Sequence, residues 1–217
     1  MSFAIVLSAL LYTAASASIL GPPTPRWGGN ESTLAFVAKV NMTDISDSPE
    51  GPRWTFKYTY DGSRNASRYD HGAGQHDEVC KTINSKLAGS PCTVLSALDG
   101  HLYVSFPGAS NGGDECCKCK RGFAVRSDWL LQGSSYVGRT EIGGESVDEW
   151  LKQGASDNHY YATANGEQRP VRYMEHKNGK LKQWDFTSWN AGSDGGASLE
   201  APQGCDKPCL NPICFII

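Results

Sequence analysis

Pro170-Val-Arg-Tyr-Met-Glu-His-Lys-Asn-Gly-Lys-Leu-Lys-Gln-Trp-Asp-Phe186 reads as a β-hairpin whose pairing follows from its own residues. Asn178-Gly179 suits the centre of a two-residue type I′ turn, because both central positions need positive φ. That turn sets Lys177 opposite Lys180, His176 opposite Leu181, Glu175 opposite Lys182 and Met174 opposite Gln183. Beyond them Tyr173 faces Trp184, Arg172 faces Asp185 and Val171 faces Phe186. Two opposite-charge pairs and an aromatic pair result, each worth roughly 0.2–1 kcal/mol. The like-charged Lys177–Lys180 pair lies beside the turn, where solvent screens it. Val171, Tyr173, Trp184 and Phe186 share one face at the end far from the turn. The chain is thus built on antiparallel strands with aromatic faces to bury.

Working outward, a second hairpin centres on Asp99-Gly100. A two-residue turn there pairs Ala97 with Leu102, Leu95 with Val104 and Thr93 with Phe106, making one apolar face. Val94, Ser96, Tyr103 and Ser105 fall on the other, as in a sheet covered on one side. Upstream, Leu34 to Met42 alternates, and Trp54, Phe56, Tyr58 and Tyr60 alternate with polar neighbours. A two-residue turn at Asp61-Gly62 would put Asn65 opposite Tyr58 on the aromatic face. A glycan on Asn65 forbids that, so a three-residue loop or a bulge is expected, turning Asn65 outward. Further strands are expected at Ser135–Ile142, His159–Ala164 and Ser198–Ala201. Asp77 could cap a helix over Glu78–Leu87. Ser146-Val-Asp-Glu-Trp-Leu-Lys opens with a capping-box pattern and predicts one short helix.

The N-terminus places this domain in an oxidising compartment. Phe3 to Ala15 is an apolar run of signal-peptide length, too short to span a bilayer, and Ala15-Ser16-Ala17 fits a cleavage site. Residues 1–17 are expected to be a signal peptide, 18–29 an extended Pro/Gly-rich lead-in, and 30–217 a single disulfide-bonded β domain. Sequons at Asn30, Asn41 and Asn65 support export and glycosylation. No further apolar run is long enough for a transmembrane segment. A net charge of −3 and a pI near 5.9 give no nucleic-acid signal. The basic cluster Lys177, Lys180 and Lys182 is interrupted by acids and reads as a solvated hairpin.

All eight cysteines follow residue 79: Cys80, Cys92, Cys116, Cys117, Cys119, Cys205, Cys209 and Cys214. An even count in an exported chain favours disulfides, with a thiolate metal site or a reactive thiol as the alternatives. As strand neighbours, Cys116 and Cys117 point to opposite faces and call for two distant partners. The connectivity stays open. Catalysis has little support. His159 beside Asp157 could serve a cysteine nucleophile, but no local signature accompanies it. A His packed beside Tyr160 and Tyr161 is the simpler reading. The Asp44–Asp47 acids are wrongly spaced for an EF-hand.

Several segments in order resemble the ependymin-related proteins, a group of secreted glycoproteins. They are Cys92 with the Asp99-Gly100 hairpin, the cysteine cluster, Arg126-Ser-Asp-Trp-Leu130, Tyr136-Val-Gly138, Glu149-Trp150, Asp157-Asn-His-Tyr-Tyr161, Arg169 to His176, and Gln183-Trp-Asp-Phe186. The set spans about residues 54–214, and the likeness is to the divergent, non-vertebrate branch. It implies a mostly β fold, a strongly curved antiparallel half-barrel over an apolar pocket, with one or two short helices. It also implies binding of a fatty acid or lipid, calcium association, no catalysis, dimers in some members, and an extracellular or lysosomal location. Two departures stand out: 21–29 holds no cysteine, and Cys116-Cys117-Lys118-Cys119 is unusually dense. The implied pairing joins Cys92 and one of Cys116, Cys117 or Cys119 to the C-terminal cysteines. With Cys92 so joined, the closed loop would exceed 100 residues.

The functional expectation is a secreted, non-enzymatic carrier of a hydrophobic ligand. The candidate lining is Trp54, Phe56, Tyr58, Leu102, Val104, Phe106, Tyr173, Trp184 and Phe186. The alternatives are a carbohydrate-binding or matrix module, with aromatics on a flat open face, and a secreted hydrolase, with a titratable pair at the pocket mouth.

Overall fold

The structure, a computed structural model, describes residues 23–30, 35–72, 80, 87, 89–109, 115–122, 124–154, 156–177, 179–192 and 197–209. Eleven strands form it. They are β1 (Ala35–Asp44), β2 (Arg53–Asp61), β3 (Ala66–His71), β4 (Cys92–Ser96), β5 (Leu102–Phe106), β6 (Glu115–Cys119), β7 (Ser134–Ile142), β8 (Glu145–Lys152), β9 (Asn158–Thr163), β10 (Pro170–Lys177) and β11 (Lys180–Ala191). All lie in one open, curved antiparallel sheet in the order β6-β5-β4-β3-β2-β1-β11-β10-β9-β8-β7. The expected signal peptide and the expected helix over Glu78–Leu87 fall outside the described residues, apart from Cys80 and Leu87.

The sheet order explains the curvature. β6 and β7 are consecutive in the chain yet occupy opposite edges. Residues 120–133 must therefore run from one edge to the other. Flat, eleven strands would separate those edges by ~48 Å, nearly the ~50 Å reach of the fully extended connection. Part of that connection is wound into a 3-10 turn, Trp129–Leu131, so it cannot be fully extended. The sheet must curl, and the connection crosses its inner face. Ring contacts agree. Tyr69 on β3 and Trp184 on β11 are three strand spacings apart, about 14 Å along a flat sheet, yet their ring centroids are 6.4 Å apart.

The β10–β11 hairpin has the register read from its turn, from Arg172 opposite Asp185 to Lys177 opposite Lys180, with Gly179 at φ 74°. Arg172 Nε donates to Asp185 Oδ1 at 2.6 Å. The β4–β5 hairpin differs by one residue: Val94 faces Val104, Leu95 faces Tyr103 and Ser96 faces Leu102. Gly100 is left-handed at φ 78° and donates its N–H to Ala97 O, while Ala97 donates to His101 O. This is a three-residue loop with the glycine as a bulge. The slip moves Leu95 to the face opposite Val104. That outer face is not open: Leu95, Ala97 and Tyr103 bury against Ala66, Leu199 and Cys205. Residues 198–201 are not a strand but a covering segment, tied by Leu98 N–H to Leu199 O. The β2–β3 loop spans Gly62 to Asn65, one residue longer than expected, and leaves Asn65 exposed at φ 55°.

The helix expected over Ser146–Lys152 is instead the strand β8. Gly143 and Gly144 are both left-handed, at φ 59° and 82°, and fold β7 onto β8 as a two-residue hairpin. Ladders to β7 and β9 then hold β8 on both sides, outweighing a single capping pattern. Among the described residues Trp129–Leu131 is the one helical element longer than a single residue.

Cys116 bonds to Cys205 and Cys117 to Cys209, from opposite faces of β6. Cys119 is disulfide-bonded too, while Cys214 lies outside the described residues. The C-terminal segment thereby clips onto the β6 edge, where Lys118 and Pro208 form a parallel bridge. Cys92 departs from the implied pairing: it bonds to Cys80, 12 residues away. This ranks the bridges against their loop lengths. In the chain-entropy model the separations of 89 and 92 are worth about 4.6 kcal/mol each and the short loop about 3 kcal/mol. Cys116–Cys205 and Cys117–Cys209 close nearly the same loop, so removing either alone leaves it closed. Thermal melts should show Cys80→Ser/Cys92→Ser more destabilised than Cys116→Ser/Cys205→Ser. The reverse order would show that the β6 bridges act independently.

Candidate functional site: the inner face of the sheet

Alternation places Phe36, Ala38, Val40 and Met42 of β1 on the inner face, opposite Tyr60, Tyr58, Phe56 and Trp54 of β2. From the other half, β8 to β11 contribute Trp150, Tyr160, Tyr173, Trp184 and Phe186 to the same face. Curvature brings the halves together. Phe56 lies 5.4 Å from Trp184 and 5.7 Å from Tyr69, and Tyr58 stacks on Tyr69 at 4.6 Å. Tyr173 meets Trp184 edge-on at 5.6 Å.

Six of the nine lining candidates therefore converge: Trp54, Phe56, Tyr58, Tyr173, Trp184 and Phe186. Leu102, Val104 and Phe106 face inward too, but in a separate cluster with Cys80, Cys92, Val94 and Cys119. Tyr69 packs against both clusters. His71, 5% exposed, lies against Phe56 at 5.1 Å.

The space between the halves is filled by side chains from outside the sheet. Trp27, only 3% exposed, sits at its centre. Its ring meets Tyr173 at 5.3 Å, Tyr160 at 5.5 Å and Trp129 at 5.8 Å, and its Nε1–H donates to Tyr58 OH at 3.3 Å. The described part of the lead-in, 23–29, thus buries Trp27, Gly28 and Gly29, with Trp27 in the core, rather than standing wholly apart from it. Gly28 permits this: at φ 88°, a Cβ there would come within 2.4 Å of Phe36. Leu130, fully buried, and Ala124 come from the edge-to-edge connection, anchored where Tyr60 OH donates to Val125 O at 2.8 Å. Neither filler has strand periodicity to reveal it. The available signals were a tryptophan inside a Pro/Gly-rich stretch and the Arg126–Leu130 segment.

A polar rim borders the aromatics at one end. Cross-strand pairing aligns Lys152, Asn158, Glu175, Lys182 and Asp44 in one row. Lys182 Nζ lies 5.5 Å above the Trp54 ring and Lys152 Nζ 5.6 Å above Trp129. Behind the rim, burial pushes the phenols of Tyr58, Tyr60, Tyr160 and Tyr173 well above their ordinary value near 10. The inner layer is a place where charge is strongly disfavoured.

His159, considered above as a base beside Asp157, lies away from the inner face. His159 Nδ1 is 2.7 Å from Glu149 Oε1, which also accepts from Tyr161 OH at 3.1 Å, all on the outer face. His159 stacks on Tyr161, while Tyr160 points inward. Asp44 is engaged by the Ser46 amide and hydroxyl and by Lys180 Nζ at 3.3 Å. Among the described residues no three His, Cys, Asp or Glu side chains gather as a metal site. No described helix is long and apolar enough to cross a membrane. Of the sequons, Asn65 is exposed in its loop. Asn41 accepts from Thr55 Oγ1 on the outer face, and Asn30 Nδ2 donates to Gly166 O.

No protein-family model matches this chain, and no curated protein matches it. Solved structures do. An uncharacterized conserved protein from Thermus thermophilus superposes with a TM-score of 0.51 at 8% identity, covering 81% of this chain and 90% of that one. The Pseudomonas aeruginosa MucA/MucB complex gives 0.43 at 15% identity, over 80% of this chain and 57% of that one. The Mycobacterium tuberculosis lipoprotein LppX gives 0.42 at 13% identity, over 78% and 91%. The first match establishes a shared fold, a large curved antiparallel sheet. The other two superpose too loosely to add to it.

Proposed function

We propose that this chain is an exported, non-enzymatic carrier of a hydrophobic ligand, and that it belongs with the ependymin-related proteins it resembles. One observation carries the reading. Aromatic side chains from both halves of the sheet face each other across an inner space, and that space is filled by Trp27 and Leu130 from segments outside the sheet. The filler Trp27 comes from a turn that belongs to no strand of the sheet. Its segment's main-chain ties include Trp27 N–H to Ser127 O, Gly28 N–H to Tyr160 OH and Asn30 N–H to Glu167 O. A segment so held can leave while every strand ladder stays intact. A ligand of similar apolarity would take its place. The disulfides fit an oxidising compartment, extracellular or lysosomal.

A carbohydrate or matrix module would present its aromatics to solvent. The large hydrophobics exposed among the described residues are Leu131, Tyr136 and Val137, with one aromatic among them. Native mass spectrometry of protein from its own source, followed by lipid extraction, tests the proposal. Co-purifying lipid, or saturable binding of a fluorescent fatty acid or a neutral polyene probe, is the expected result. Neither lipid nor probe binding would overturn it.

A further inference from the structure

The inner face holds hydrogen-bond donors without acceptors. The indole N–H groups of Trp54, Trp150, Trp184 and Trp189 are buried and have no partner. All four rings belong to or pack against the one inner core. Trp27 differs, since its N–H reaches Tyr58. Three of the four lie in a single cross-strand row, Trp150–Tyr160–Tyr173–Trp184–Met42–Trp54, immediately inside the polar rim. Trp54 itself is 7% exposed. A buried donor left unpaired costs about 1–3 kcal/mol, so three in one row mark a place where acceptors belong.

We infer that the occupant of this site is a neutral ester lipid, with ester carbonyls level with the Trp54–Trp184–Trp150 row and acyl chains among the deeper aromatics. The inference rests on the carrier reading and narrows its ligand class. Indole N–H is an uncharged donor and suits an uncharged carbonyl. A fatty acid has its acceptors only at its end. To reach the tryptophan row its carboxylate would have to be buried as a charge. Of the two rim ammonium groups, Lys182 stands in the ladder between Asp44 and Glu175, which already oppose it, and Lys152 lies over the Trp129 ring. A carboxylate left at the rim would leave the indoles unpaired. An alcohol or a protonated acid would bring one more donor to a donor-rich wall. An ester brings acceptors and no donor.

The test compares radiolabelled trioleoylglycerol, methyl oleate and oleic acid, partitioned from phosphatidylcholine vesicles onto the full chain at pH 8. Diphenylhexatriene serves as an acceptor-free control. We expect both esters to bind at least tenfold tighter than oleate. Trp54→Phe and Trp184→Phe remove the N–H and keep an aromatic ring. Each should weaken ester binding about two- to tenfold. Diphenylhexatriene binding should be unchanged, which also reports that the variants fold. Oleate binding as tightly as the esters, or both variants holding esters like the parent chain, would overturn this inference while leaving a carrier. Binding of none of the lipids and no diphenylhexatriene would remove the carrier reading, and this inference with it.

Discussion

Raising the pH above 10 should unfold this protein in one steep transition, with phenolate absorbance at 295 nm appearing together with the loss of sheet circular dichroism. Tyr58, Tyr60, Tyr160 and Tyr173 are all buried on the inner face, and burial raises each phenol in the folded chain. In the unfolded chain they titrate near 10. A raised native value means that the folded state holds its protons longer. The stabilisation is complete below pH 10 and is lost as pH climbs from 10 towards the native values. Each such group removes ~1.4 kcal/mol per pH unit in that window. Four together remove about 5–6 kcal/mol per unit, comparable with the ~5–15 kcal/mol that holds a typical domain folded. Tyr161, on the outer face beside Glu149, is pushed up to about 12 and adds to the slope only between pH 10 and that value. Inner phenols ionising near pH 10 with the sheet signal retained would show that water already occupies the inner layer.

How far the sequence discloses this arrangement depends on where the period lies. The β10–β11 hairpin was legible because the Asn178-Gly179 turn, two charge pairs and an aromatic pair all agree on one register. The β4–β5 hairpin was not. Gly100 satisfies a two-residue and a three-residue loop equally well, and Leu95 and Val94 are both apolar, so neither face rejects the slip. The second covering layer, Leu199 and Cys205, removes the polar face that would have decided it. β8 was misread because a Ser146–Glu149 capping pattern is local, whereas the Gly143-Gly144 hairpin and ladders on both edges are not. Of the site, the residues on β2, β10 and β11 were legible from alternation. Trp27 and Leu130 were not, since a turn and a single 3-10 turn are too short to impose a period. The position of Leu130 follows instead from topology, since consecutive strands on opposite edges force their connection across the inner face; that of Trp27, in the lead-in before β1, does not.

Trp27→Ala separates a structural plug from an exchangeable one. Truncating a buried tryptophan costs about 3–5 kcal/mol. In a domain of this size that should lower the melting temperature by roughly 6–20 °C. If Trp27 merely completes a core, the loss is all that follows. If it occupies a ligand's place, the variant should also bind apolar ligands more tightly, because nothing has to leave first. Apolar cavities stay dry and take up apolar molecules. A bound ligand should then restore stability in proportion to the logarithm of its concentration. Gly28→Ala tests the same segment without deleting an aromatic. At φ 88° and 2.4 Å from Phe36, the added methyl cannot coexist with the docked segment, so it should release Trp27 and raise affinity in the same direction. Melting temperatures with and without diphenylhexatriene, measured on both variants and the parent chain, decide it. Tighter binding in both variants makes Trp27 the resident competitor of the ligand. Destabilisation with unchanged affinity makes it core, and the ligand would have to enter elsewhere, nearest along the rim beside Trp54 and Lys182.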